Sequence, residues 1–252
     1  MPPSFQALKP WFQQRRETLV MLAALLVAVV AAVVMARQAA QAPLQAAVAV
    51  PAPTAQVVAF ADGSNGRQQA TATFAGGCFW GIQAVFQHTR GVLDAVSGYA
   101  GGNAATATYA QVSGGRTGHA ETVQITYDPR QISYAQLLHI FFSVAHDPTQ
   151  VNRQGPDIGT EYRSMVFFEN QAQRQVAQAY IDQVDAAKVF ARPIATELVA
   201  STGFYAAEAH HQNYAMRNPQ APYIVAFDAP KIALLQKAFP QLYRAEPIVS
   251  SP

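Results

Sequence analysis

The chain has 252 residues, a formal net charge of +2 and only 13% charged residues. It is longer than an average domain but short for two domains plus a membrane segment. So weak a charge excludes the basic surface that tracks nucleic-acid phosphates, and acidic polymers are poor partners. The single cysteine, Cys78, forbids an internal disulfide, so cysteine usage says nothing about the redox state of the compartment.

Residues 1–17 form a short polar tail in which Lys9, Arg15 and Arg16 face a single acid, Glu17. Residues 18–36 then run without a charge and are nearly all apolar. A bilayer core takes roughly 20 such residues in a helix, so this run is expected to span a membrane. The basic flank keeps residues 1–17 cytoplasmic and sends the rest across, to the periplasmic side of a bacterial-type inner membrane. The alternative is a secretory signal cleaved near Ala39-Ala40-Gln41-Ala42, although signal cores usually have only about 7–15 apolar residues. Residues 37–69 are rich in Ala, Pro, Gln and Val, and read as an extended tether without chemistry.

From residue 70 the pattern alternates strands and helices through residue 245, followed by a flexible tail over 246–252. Strands are expected over 70–74, 92–99, 122–127, 163–168 and 196–200. Helices are expected over 79–88 with Phe79, Ile82, Val85 and Phe86 inward, and from an N-cap at Ser133 through Leu137, Leu138, Phe141 and Phe142. Further helices are expected over 170–188 with Val176, Tyr180, Ile181 and Val184 inward, over 206–216, and over 231–239 as a peripheral element. No internal repeat is visible. The fold class is mixed α/β (α+β).

The stretch Phe74-Ala75-Gly76-Gly77-Cys78-Phe79-Trp80-Gly81 places the one thiol between the first strand and the first helix. Glycines there tolerate unusual dihedrals and close approach of another molecule. Unpaired N–H groups and the helix dipole at a first turn favour an anion, so the thiol pKa is expected to fall. A lone cysteine is more often a small buried hydrophobe than a nucleophile. Two aromatics directly after it, however, suit an apolar pocket beside a reactive sulfur.

Gly76-Gly77-Cys78-Phe79-Trp80-Gly81 resembles the active-site signature of peptide methionine sulfoxide reductase A, a family that reduces the S epimer of methionine sulfoxide. Further matches follow in the family's order: Val96-Ser97-Gly98-Tyr99-Ala100-Gly101-Gly102, Tyr109, Thr117-Gly118-His119-Ala120-Glu121 and Tyr127-Asp128-Pro129. His146-Asp147-Pro148-Thr149, Asn152-Arg153-Gln154-Gly155, Asp157-Ile158-Gly159-Thr160, Tyr162-Arg163-Ser164 and His211-Gln212-Asn213-Tyr214 complete the series. The resemblance implies a two-layer sheet-and-helix sandwich related to the ferredoxin-like arrangement, here preceded by the N-terminal transmembrane helix.

It also implies roles. Cys78 is the nucleophile and Glu121 the acid that protonates the leaving oxygen, which requires a raised pKa. The hydroxyls of Tyr109 and Tyr162 bind that oxygen, while Phe79 and Trp80 line a pocket for the substrate methyl group. Asp157 helps position substrate; Pro156 before it departs from the family's usual Asn and stiffens the loop. His211 and Tyr214 are read as scaffold. Adjacent His210 and His211 point about 100° apart on a helix and lack companion ligands, so no metal is expected. No cofactor is expected either.

Many relatives resolve the resulting sulfenic acid with a second cysteine near the C-terminus. This chain has none, and Ser113 stands where relatives often carry another cysteine. The reductant is therefore expected to be external: a thioredoxin, a glutaredoxin with glutathione, or another thiol. The substrate is an oxidised protein or free methionine sulfoxide. Two rival readings stay open: an inactive module that binds methionine sulfoxide or a partner protein, and a cysteine hydrolase using His119 or His211.

Overall fold

The structure, a computed structural model, describes residues 49–59, 66 and 68–250. The apolar run 18–36 lies outside the described residues, and among those described no helix is long and apolar enough to cross a membrane. In chain order the elements are α1 (Ala55–Ala59), β1 (Ala70–Ala75), α2 (Phe79–Gln87), β2 (Val92–Ala100), α3 (Tyr109–Val112), β3 (Ala120–Tyr127) and α4 (Tyr134–Ile140). There follow β4 (Arg153–Gln154), β5 (Asp157–Ile158), β6 (Met165–Phe168), α5 (Gln171–Ala186), β7 (Glu197–Ala200), β8 (Phe204–Ala206), α6 (Tyr214–Arg217) and α7 (Ala229–Ala238).

The main sheet runs β7-β6-β1-β3-β2-β8, and only β6 and β7 are parallel. Strand β3 lies between β1 and β2 and is antiparallel to both, so β1-α2-β2 is a split βαβ unit. With α4 in the second crossover, the central order β6-β1-β3-β2 is ferredoxin-like. The parallel pair needs a long crossover, which α5 provides.

The expected inward faces are the observed ones. Phe79, Ile82, Val85 and Phe86 of α2 are each exposed by 1% or less, and Leu137, Leu138, Phe141, Phe142, Val176, Tyr180, Ile181 and Val184 are all buried. Burying each such side chain stabilises the fold by about 1.5–3 kcal/mol. Ser133 caps α4 in a capping box: Gln136 N–H donates to its Oγ at 3.2 Å, and Ser133 N–H donates to Gln136 Oε1 at 2.9 Å. Strand β1 sends Ala72 and Phe74 into the main core and Ala75 into a smaller cluster with Ala100, Ala120, Met165 and Phe167 on the other face.

Three expectations need correction. Residues 206–216 are not one helix: β8 pairs with β2, turns follow, and only Tyr214–Arg217 is helical. The polar groups there are spent on tertiary partners instead. Gln212 Nε2 donates to the Ser97 carbonyl at 2.8 Å, its Oε1 accepts from Ser97 N–H at 3.0 Å, and Asn213 adopts φ 56° while its N–H donates to Gln83 Oε1 at 2.8 Å.

The end of the chain is not a free tail. Ser250 is buried, its N–H donates to Asn213 Oδ1 at 3.0 Å and its carbonyl accepts from Asn213 Nδ2 at 3.0 Å. Its hydroxyl donates to the Ala95 carbonyl, and Ile248 N–H donates to the Gln87 carbonyl at 3.1 Å. Nor does the tether description fit residues 49–59. Tyr180 hydroxyl donates to the Pro51 carbonyl at 2.8 Å, Gln183 bonds Ala52 and Thr54, and Val57 is buried. Apolar Val50 and Val57 gain burial there, and the free carbonyls between the prolines find donors on α5.

Candidate active site

Cys78 is the N-cap of α2 and is partly exposed. The turn before it needs Gly77, which sits at φ 100° with Gln154 so close that an added Cβ would lie 2.5 Å from Gln154 Cγ. The α2 N-terminus leaves unpaired donors, and two are directed at chemical groups. Phe79 N–H donates to Glu121 Oε2 at 3.0 Å, and Trp80 N–H reaches the Cys78 sulfur. Thiol and carboxyl are thus held by successive amides of one helix turn.

Glu121 is the second residue of β3, paired across the ladder with Tyr99, and only 3% exposed. Burial pushes its carboxyl up to about 8, opposed by the Phe79 N–H and helped by Asp157 and Glu161. It is therefore protonated at neutral pH, the state from which a carboxyl can give up a proton.

The thiol departs from expectation. Instead of falling, its pKa is raised well above the ordinary value, first by burial and then by the charges of Glu121 and Asp228. The Trp80 N–H and the Lys231 ammonium pull in the other direction and lose. The local amide effect is present as reasoned, but desolvation and two acids brought by distant strands and helices outweigh it. In the free protein both Cys78 and Glu121 are neutral at pH 7.

Tyr109 opens α3 and is 39% exposed, with its ring 4.6 Å from that of His211 and its N–H donating to Glu208 Oε1 at 2.9 Å. Tyr162 ends the 3-10 turn Thr160–Tyr162. Burial raises both hydroxyls, and Glu121, Cys78 and Asp157 raise each further, which places all five groups within one electrostatic neighbourhood. Phe79 is buried in the core with its ring 5.2 Å from His211. Trp80 is partly exposed and stacks on Tyr214 at 3.8 Å and 12°. Its indole N–H donates to His211 Nδ1 at 3.3 Å, and Tyr223 meets it edge-on at 6.0 Å. His211 and Tyr214 therefore fix the indole that lines the site.

Asp157 lies in the β4–β5 hairpin opposite Gln154, with Gly155 and Pro156 forming the exposed turn. Pro156 occupies a position where no ladder N–H is required, so it leaves Asp157 in register with the site. The Asp157 carboxylate accepts from the Tyr223 hydroxyl. Tyr223, Glu208, Asp228 and Lys231 were not singled out in the sequence. Each reaches the site from a segment at least 66 residues from the residue it meets there, and local pattern carries no sign of that. The one available hint was Asp228 and Lys231 at helical i,i+3 spacing.

The peptide methionine sulfoxide reductase family model matches residues 70–242. A peptide methionine sulfoxide reductase MsrA 2 of Mesorhizobium japonicum is 56% identical over 179 residues, spanning 71% of this chain and 92% of the relative. A protein of the same name from Synechocystis is 48% identical over 197 residues, 78% of this chain and 91% of the relative. Among solved structures, reduced Mxr1 from Saccharomyces cerevisiae superposes with a TM-score of 0.57 at 34% identity, covering 62% of this chain and 90% of that one. Methionine sulfoxide reductase A of Corynebacterium diphtheriae gives 0.52 at 33%, covering 68% and 84%. The chain belongs to the peptide methionine sulfoxide reductase family.

Proposed function

We propose that this chain reduces methionine-S-sulfoxide, in oxidised proteins and as the free amino acid, with Cys78 as nucleophile and Glu121 as proton donor. The observation that carries this reading is one helix turn holding a partly exposed thiol next to a buried carboxyl that stays protonated at neutral pH. The substrate oxygen is held by the hydroxyls of Tyr109 and Tyr162, contacts that strengthen as negative charge develops. Glu121 gives that oxygen a proton while the Cys78 sulfur attacks and yields its own proton to the carboxylate so formed. Oxygen passes from the substrate sulfur, which is reduced, to Cys78, which becomes a sulfenic acid. Trp80, braced by Tyr214 and His211 and backed by Phe79, supplies the apolar wall for the methyl group, and Asp157 orients the substrate.

With one cysteine in the chain, the sulfenic acid must be recycled by an external thiol. A membrane anchor at residues 18–36, with the catalytic domain on the periplasmic side, belongs to the same proposal; it rests on the apolar run and its basic flank, and protease protection in spheroplasts tests it. The hydrolase reading is disfavoured by the histidines. The ring nitrogens of His119 are taken by Gly102 N–H at 3.2 Å and the Asn103 carbonyl at 3.0 Å, and His211 Nδ1 is held by Trp80. Incubation of the full chain with racemic methionine sulfoxide and dithiothreitol is expected to consume one epimer and leave the other. Consumption of neither would overturn the reading, and consumption of both would overturn its stereochemistry.

A further inference from the structure

In the reaction proposed above Tyr109 holds the oxygen that Glu121 protonates, yet it stands on an exposed stretch of chain. Between residues 101 and 118 only Val112 is buried, and Tyr109 itself is 39% exposed. Thr108 is the N-cap of α3 by position, but its side chain makes no capping bond. The Tyr109 N–H is taken instead by Glu208, whose Oε1 accepts it at 2.9 Å from a segment 99 residues away. The other oxygen of the same carboxylate, Oε2, accepts from the Tyr99 hydroxyl at 2.9 Å. Tyr99 is wholly buried, lies opposite Glu121 in the β2–β3 ladder and has its ring 5.9 Å from that of Phe79. One carboxylate thus spans from exposed α3 to the strand pair that carries Glu121. The backbone of Glu208 adds a third link. Its carbonyl accepts from His211 N–H at 2.8 Å, and the His211 ring lies 4.6 Å from that of Tyr109 and takes the Trp80 indole N–H.

We propose that Glu208 is a positioning residue for the reduction: it ties the Tyr109 amide to the Tyr99–Glu121 strand pair and so fixes where the Tyr109 hydroxyl meets the substrate oxygen. It acts through Tyr109 and does not touch the substrate. This rests on Tyr109 being a donor to that oxygen. A donor is effective only at hydrogen-bond distance from the place where charge develops, and a displacement of about 1 Å can cost about 10²-fold in rate. Of α3, only Val112 at its far end is buried, so loss of the Glu208 bond lets the first turn swing about that anchor. Glu208 is itself partly exposed, and hydrogen bonds in contact with water add little to stability. With its two oxygens engaged by two tyrosines from different segments, its carboxylate serves geometry first.

The test is a double-mutant cycle on steady-state reduction of methionine-S-sulfoxide by the full chain with dithiothreitol, beside hydrogen exchange of the Tyr109 amide. Glu208→Ala is expected to lower kcat by about 10²-fold, as Tyr109→Phe does, with KM little changed, and to speed exchange of that amide about tenfold. In the Tyr109→Phe background the same change should cost less than about twofold more. Glu208→Gln should stay near wild type, because its carbonyl accepts the Tyr109 N–H while its NH2 donates to the Tyr99 hydroxyl, which turns to accept. An unchanged kcat in Glu208→Ala would overturn the proposal. So would an undiminished further loss on top of Tyr109→Phe, or a loss in Glu208→Gln equal to that in Glu208→Ala. Should the alanine variant not fold, Glu208→Asp, which draws the carboxylate back by one methylene, is judged by the same coupling. A wild-type kcat in Tyr109→Phe would overturn the role of Tyr109 and the proposal with it, whereas failure of the proposal alone leaves Tyr109→Phe slow and Glu208→Ala fast.

Discussion

Replacing Glu121 by Gln should trade catalysis for stability, and the two effects can be worked out separately. Glutamine has nearly the same shape, and its carbonyl oxygen can accept the Phe79 N–H that Oε2 now accepts at 3.0 Å. What is lost is the proton. Positioned general acids contribute about 10²–10⁴ in rate, so kcat should fall by that factor with thiol supply unchanged. The stability effect has the opposite sign. Burial raises the folded-state value from an ordinary 4.5 to about 8, so the contribution of Glu121 is fully present below about pH 4.5 and is lost as pH rises through about 8. Each pH unit between the two values is worth about 1.4 kcal/mol, which makes the cost of holding Glu121 about 3 kcal/mol at pH 7. Glutamine carries no such cost. The variant should therefore melt at about the wild-type temperature near pH 4.5 and well above it at pH 7, at about 2–4 °C per kcal/mol for a domain of this size. Calorimetry across that range, beside steady-state turnover with dithiothreitol, decides both. Retention of activity within tenfold would refute Glu121 as the proton donor, and a melting difference that does not widen with pH would refute its raised pKa.

In the wild type, turnover should decline as pH rises through about 8 and Glu121 ionises; a rate that keeps climbing to pH 10 would contradict this. Tyr109→Phe and Tyr162→Phe should each lower kcat by about 10²-fold, the usual cost of one donor to a developing oxyanion, with little change in melting temperature; a pure KM effect would place the hydroxyls elsewhere. Ser250→Ala removes the hydroxyl that donates to the Ala95 carbonyl and accepts from Gln87 Nε2 at 3.3 Å. Leaving buried groups unpaired should cost about 1–3 kcal/mol in denaturant unfolding, and a neutral result would mean that the C-terminal strap is not held as described.

The helices and strands whose apolar spacing is strong, α2, α4 and α5 among them, were legible because their inward faces are set by local period and were buried as read. The strand-to-helix seat of Cys78 was legible for the same reason. The charge on its sulfur was not. Reasoning from the helix terminus counts only amides a few bonds away, whereas the fold adds burial together with Glu121 from β3 and Asp228 from the turn that leads into α7, and these decide the sign. Residues 206–216 misled because Gln212 and Asn213 look tolerable in a helix but spend their amides on Ser97 and Gln83. The C-terminal residues look like a polar tail until Asn213 and Gln87 are in place to receive Ser250. Tyr223, which meets both Trp80 and Asp157, leaves no trace in its own neighbourhood of the chain.

The central claim is that one thiol does the reducing and cannot restore itself. Reduced protein mixed with excess methionine-S-sulfoxide and no added thiol should form about one methionine per chain and then stop, with a dimedone adduct confined to Cys78 and no product from Cys78→Ser. Continued methionine formation without a reductant, or a full equivalent from the serine variant, would contradict it.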